Sequence, residues 1–157
     1  MEPLKTTSIT VPELEEIAAS QNVTFKPGDI LFLRTGFLNA LRALSPSDSA
    51  TYAAVEPPPE AIGLLSCEET LRWIWDHGFS AVAGDQPAFE SLPFQGGNYC
   101  LHEWLLAGWG MPIGELFDLE RLAAECREKK KWSFFFTSVP LKVPGGVASP
   151  PNGMAIL

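Results

Sequence analysis

Two side chains suited to ligating a metal or moving a proton share one apolar stretch of this chain. His102 and Glu115 both lie in Leu101–Leu119, LHEWLLAGWGMPIGELFDL, and His102 is one of only two histidines among 157 residues. Glu115 follows Gly110-Met-Pro-Ile-Gly114, where apolar neighbours point to burial. A buried carboxylate needs a partner, and a metal ion or a histidine would supply one. Two ligands do not complete a catalytic zinc site, which takes three protein ligands and keeps one position open. The candidates for the third are Asp85, His77 and Cys100. Asp85 is the best placed, in the polar cluster Gly84-Asp85-Gln86-Pro87 after a predicted strand, where open α/β sheets put their sites. It could equally cap the following turn. His77 sits at a predicted helix C-terminus, where a cation suits the dipole. Arg34, at the exit of a short buried strand, either pairs structurally or faces a pocket.

Other chemistries lack their signatures. There is no G-x-S-x-G, no P-loop, and no G-x-G-x-x-G following a strand. Cys100 and His102 lack the long separation that joins a cysteine nucleophile to its base.

The elements that must position these groups read as alternating helices and strands. Thr10-Val-Pro-Glu13 is a capping box with Pro in the first turn, opening a helix to about Gln21. Ile30–Leu33 is a short buried strand. Residues 37–44 form a candidate helix. Ser45–Glu60, with its Pro57-Pro-Pro59, reads as a surface excursion. Ser66-Cys-Glu-Glu69 is a second capping box, and Gly78 stops the helix that follows. Phe79–Ala83 is a strand, Phe89–Tyr99 a loop, and a short helix over Cys100–Ala107 carries His102. Met111–Leu116 is a strand carrying Glu115. Asp118 caps a helix with Leu119, Leu122, Ala123 and Cys126 on one face. Trp132–Val139 and Met154–Leu157 are strands around a Gly/Pro loop. The order implies α/β layering in one domain.

Composition narrows the function classes. Net charge is −8 with no Lys/Arg stripe, which excludes nucleic acid as a partner on electrostatic grounds. Lys129–Lys131 is favourable charge at a helix end. Three cysteines without metal or redox spacing fit a reducing compartment. With no apolar leader and no run of about 18 apolar residues, the expectation is a cytoplasmic protein with no membrane partner. Five Trp and ten Phe are a heavy aromatic load, some of it suited to an interface or a pocket.

Four segments together resemble the putative cyclase family, metal-dependent hydrolases that include bacterial-type kynurenine formamidase and isatin hydrolase. The fungal members are nearest in pattern. Lys26-Pro-Gly-Asp-Ile-Leu-Phe-Leu-Arg-Thr-Gly36 looks like the family's Gly-Asp…Arg-Thr-Gly strand. Ala81-Val-Ala-Gly-Asp-Gln-Pro87 resembles its Val-Gly-x-Asp-x-Pro segment. His102…Gly-Met-Pro-Ile-Gly-Glu115-Leu is similar to its His…Gly-Ile-x-Ile-x-Glu-Asn-Leu stretch. Val139-Pro-Leu…Gly-Gly-Val-Ala-Ser-Pro150 resembles its closing segment. The likeness runs from Ile9 to Leu157. It implies a swivelling β/β/α fold, a mixed sheet with flanking helices. It also implies that His102 and Glu115 are ligands of a divalent metal, zinc or manganese, whose bound water attacks an amide or ester carbonyl.

The family's other metal motif, His-x-Gly-Thr-His-x-Asp-x-Pro, has no counterpart among two histidines. The chain therefore resembles the C-terminal half of a full-length member, and the fold is expected to be incomplete. Glu115 is followed by Leu116 where the family has Asn, and its spacing from His102 is one residue longer than in the bacterial pattern. Two readings follow. One is a truncated or degenerate hydrolase or cyclase for a small amide, lactam or ester, with Asp85 and Arg34 lining the pocket and the missing ligands coming from elsewhere. The other is a non-catalytic binding or assembly module on the same scaffold. A half-fold leaves open strand edges and apolar surface, so a homo-oligomer is expected.

Overall fold

The computed structural model describes residues 1–55, 59–95 and 97–157. The α/β layering predicted from the pattern is present. In chain order the elements are β1 (Ser8–Ile9), α1 (Val11–Ser20), β2 (Ile30–Leu33), α2 (Phe37–Arg42), α3 (Pro46–Ala53), β3 (Gly63–Leu64), α4 (Glu68–His77), β4 (Ala81–Gly84), β5 (Ile113–Gly114), α5 (Glu120–Lys129), β6 (Phe135–Ser138) and β7 (Gly153–Ile156). A π-helical turn spans Glu103–Gly108, between β4 and β5. Among the described residues no helix is long and apolar enough to cross a membrane.

Three parallel strands form the central sheet in the order β2-β4-β5. Leu31 lies beside Val82, Leu33 beside Gly84, and Val82 beside Ile113. Leu31, Leu33 and Val82 share one face of the pleat and are buried. Leu71, Ile74, Phe79 and Phe89 belong to the same core. A second parallel pair, β1 with β3, lies beside the segment that leaves β4. β6 and β7 make a separate antiparallel ribbon, held to the sheet by Phe32, whose ring centroid is 4.8 Å from Phe136 and 5.3 Å from Phe134.

Local rules placed most boundaries. The Glu13 carboxylate accepts the Thr10 N–H at 2.7 Å, as a capping box requires. Gly78 ends α4 with φ +65°. Four readings are corrected. Part of the Ser45–Glu60 excursion is helical: Ser45 accepts from the Asp48 N–H, with Pro46 in the first turn. α3 buries none of its residues, so it remains a surface element; residues 56–58 lie outside the described set. The N-cap of α4 is Cys67 and not Ser66, because the Ser66 side chain is buried with its hydroxyl unpartnered. The N-cap of α5 is Leu119, one residue later than expected; the Asp118 carboxylate still accepts the Glu120 N–H at 3.4 Å while its other oxygen pairs with Arg42 at 2.9 Å. The strand read over Met111–Leu116 keeps only Ile113–Gly114.

The stretch leaving β4, a loop from Phe89 by sequence pattern, packs its first residues along β3. The Leu64 N–H donates to Phe89 O, the Ser91 N–H to Leu64 O, and Leu92 and Ala61 exchange two bonds of 2.9 and 3.1 Å. This pairing buries Phe89, Glu90, Ser91 and Leu92. Gly63 is the point of closest approach. A Cβ there would lie 2.2 Å from the Glu90 carbonyl carbon and 2.4 Å from its oxygen. Both are backbone atoms that cannot step aside. Gly63→Ala should therefore cost about 3 kcal/mol or more. Thermal unfolding should fall by roughly 6–12 °C, and an unchanged midpoint would show that the loop tolerates displacement.

Candidate functional site

Three elements bring His102 between two carboxylates. Glu90 comes from the segment zipped to β3 and is wholly inaccessible to solvent. His102 precedes the π-helical turn, and Glu115 follows β5. His102 Nδ1 lies 2.7 Å from Glu90 Oε2, and Nε2 lies 3.0 Å from Glu115 Oε1. Glu90 Oε1 also accepts the His102 backbone N–H at 3.1 Å and the Cys100 thiol at 3.4 Å. Both the ring and the backbone of His102 are thus fixed by one buried acid. Glu115 stands at the open side, its side chain 34% exposed.

The backbone around each group explains its placement. In the π turn the Trp109 N–H reaches back five residues to Trp104 O, at 2.9 Å, which widens the coil where Leu105 enters the core. Such turns often mark functional sites. On the other side, the Leu116 N–H donates to Gln86 O and the Phe117 N–H to Gly84 O, at 3.2 and 3.0 Å. These bonds tie the residues after Glu115 to the exit of β4. Leu116 has φ +55°, a conformation that Asn accepts more readily than Leu.

The charges follow from this geometry. Hydrogen bonds to Glu115 and then to Glu90 outweigh burial and raise the His102 pKa from 6.5 to about 10. For Glu90, burial pushes the carboxyl upward, but the hydrogen bonds and charge of His102 prevail and hold it below the ordinary range. Burial raises the Cys100 thiol, so it remains a donor to Glu90. In the metal-free protein the imidazolium donates to both acids.

The other sequence candidates lie on separate contacts. The Asp85 carboxylate accepts the Thr35 N–H at 2.6 Å, the Thr35 hydroxyl at 2.8 Å and the Gly36 N–H at 2.8 Å. It clasps the exit of β2 to the exit of β4. Arg34 makes a two-pronged pair with Glu120, at 2.9 and 2.8 Å. His77 Nδ1 is bonded to Trp73 O, and its ring stacks on Phe79. None of the three hydrogen-bonds to His102 or Glu115.

Glu90 was missed by sequence reasoning. The available signal was an acid inside Ala88-Phe-Glu-Ser-Leu-Pro93 in a chain with two histidines; a carboxylate buried in such a run must find a cation or a donor.

The donor set fits part of a metal site. Two ligands about 2.1 Å from one ion sit roughly 3 to 3.5 Å apart, and the 3.0 Å between His102 Nε2 and Glu115 Oε1 is within that range. A ligating histidine commonly gives its other N–H to a carboxylate, the position Glu90 holds. Among the described residues no group of three or more His, Cys, Asp and Glu could hold an ion.

Two comparisons bear on this arrangement. The family described as "Putative cyclase" matches residues 2–91. A solved crystal structure described as a novel cyclase superposes with a TM-score of 0.82 and 33% identity, covering 98% of this chain and 48% of its own. The chain thus spans about half the length of that relative. No curated protein matches.

Two measurements check the electrostatics. An NMR titration of metal-free protein should place the His102 midpoint near 10. A midpoint near 6.5 would mean that the carboxylates do not clasp the ring. Because the folded-state value is raised, the stabilisation is complete below about pH 6.5 and is lost as pH climbs toward 10. Asp85→Asn leaves the Gly36 N–H facing an amide in place of a carboxylate oxygen, and should cost about 2 kcal/mol in urea unfolding with an unchanged m-value. No change in the midpoint would mean the clasp is not structural.

Proposed function

The chain belongs to the putative cyclase family, and on that premise we propose that it carries one side of a metal-dependent hydrolase or cyclase centre, with His102 and Glu115 as ligands. The reaction class is hydrolysis, or the reverse ring closure, at a small amide, lactam or ester. One observation carries the reading: a histidine whose Nδ1 is fixed by a fully buried acid presents Nε2 3.0 Å from a second, solvent-facing acid. A purely structural imidazole does not need the second, exposed carboxylate.

The residues divide the work. Glu90 accepts Nδ1–H and so leaves Nε2 as the nitrogen able to ligate once its proton is gone. Leu101 and Leu105, both fully buried, lie on either side of His102 in sequence and belong to the core that dries the Glu90 side. Glu115, on the open side, faces the direction from which a substrate arrives. A bound divalent cation, zinc or manganese, would supply a water of lowered pKa and polarise the carbonyl. The remaining ligands come from outside the described residues, so the chain by itself is not expected to turn over a formanilide.

The test is metal binding, read by calorimetry with Zn²⁺ or Mn²⁺ on chelator-treated protein. His102→Ala and Glu115→Ala should each weaken binding at least tenfold, and Glu90→Gln about 10- to 100-fold. Affinity should also rise with pH, because binding displaces the Nε2 proton. Equal affinity in wild type and His102→Ala would sink the proposal.

A further inference from the structure

Two hollows adjoin along β2, an edge strand of the central sheet. The larger, about 640 Å³, runs beside the strand from Gly28 to Arg34. Its walls are apolar: Leu14, Ile17 and Ala18 on α1, and Leu122, Ala123 and Cys126 on α5. These α5 residues form the apolar face of a helix whose other positions carry charge. Arg34 lines the groove at the C-terminal end of β2, and its guanidinium is already held by Glu120, at 2.9 and 2.8 Å. At the opposite end the groove shares Gln21, Thr24, Asp29, Trp132 and Ser133 with a second hollow of about 540 Å³.

The second hollow has a different chemistry. Lys26, Lys130 and Lys131 line it, and Asp29 is the one acid among its lining residues. None of the three lysines forms an ion pair among the described residues, and the Asp29 carboxylate accepts the Lys26 backbone N–H at 2.8 Å. Lys130 ends α5 in the left-handed conformation, φ +51°, and the Lys131 N–H reaches back to Cys126 O at 3.0 Å. That reversal brings two lysines of the basic run to the hollow that Lys26 lines. The C-termini of α1 and α5 border the same space and oppose the lysines with about half a charge each. The balance is still positive by about one charge, on a chain of net charge −8. No arginine lines the hollow. It therefore offers point charges, which suit a phosphate, and not the planar fork that suits a carboxylate.

We propose that the two adjoining hollows bind one anionic amphiphile, an alkyl or acyl chain ending in a phosphate monoester. The head sits among Lys26, Lys130 and Lys131, and the tail lies along β2 between α1 and α5. The four residues of β2 span about 13 Å, a length that a medium-chain tail matches. The groove has the volume of a small-molecule site. Burial of the chain supplies the affinity, and the lysines fix its direction. Glu90, His102 and Glu115 line neither hollow, so the site is separate from the metal-binding one.

Tryptophan emission tests this, because Trp73 and Trp132 line the groove. The 157-residue chain is titrated with decyl phosphate below its micellar concentration, with inorganic phosphate, and with decanol. Decyl phosphate should move the emission to the blue and bind about tenfold or more tighter than either of the others. Raised salt should weaken it. Lys130→Gln with Lys131→Gln should weaken decyl phosphate about tenfold and leave decanol unchanged. Ile17 is 40% exposed, and Ile17→Glu should weaken both chain-bearing probes about tenfold. Equal affinity for decyl phosphate and decanol overturns the proposal, as does equal affinity for decyl phosphate and inorganic phosphate. So does cosedimentation with phosphatidic acid vesicles in place of binding to the monomeric amphiphile, which would assign the lysines to a membrane surface. A groove closed by a second copy, seen in sedimentation as a dimer that decyl phosphate leaves intact, overturns it too. His102→Ala should bind decyl phosphate like wild type, so this result and the metal-binding result stand or fall separately.

Discussion

The fold around the site depends on one fully buried carboxylate. Removing Glu90 from water costs several kcal/mol unless its oxygens are met by donors. Three donors meet them: the His102 ring, the His102 N–H and the Cys100 thiol. Hydrogen bonds to a charged group contribute about 1.5 to 3 kcal/mol each, enough to offset the burial only if all are made together. Residues 100–102 must therefore return to the segment that leaves β4. The wide π turn follows, because it has to place Leu105 in the core within a few residues of a histidine that is already fixed. Gly63 belongs to the same constraint, since its missing side chain is what lets β3 approach the Glu90 backbone.

A second acid on the same exit loop has a different task. Asp85 and Glu90 are both buried, yet Asp85 spends its hydrogen bonds on Thr35 and Gly36. It joins the C-terminal ends of two parallel strands where no ladder bond continues. The location rule for α/β sheets led to the right end of the sheet. It did not distinguish an acid that holds strands together from one that holds a histidine. That difference is set by which donors each oxygen meets, and these come from residues 50 and 12 positions away along the chain.

This explains what the sequence could and could not reveal. α1, α4 and β2 were legible because caps, a stop glycine and apolar periodicity act within a few residues. His102 and Glu115 were legible as a pair because both fall within one apolar stretch and in a recognisable family order. Glu90 was not, because its neighbours read as a loop and only pairing with β3 turns that loop into buried structure. The same blindness to distant contacts hid α3, whose Ser45 cap is local but whose exposed, proline-flanked surroundings resembled a coil. It also shortened β5, where the side chain of Phe117 and the left-handed Leu116 end the strand just after Gly114.

Two features of the molecule meet in the π turn. His102 immediately precedes it and Trp104 lies inside it, so the coil that orients the imidazole toward the solvent-facing acid also displays a half-exposed indole. A π turn has fewer good hydrogen bonds per residue than an α-helix, and its shape is set by what packs on either side. The inner side is settled by Leu105 and Glu90.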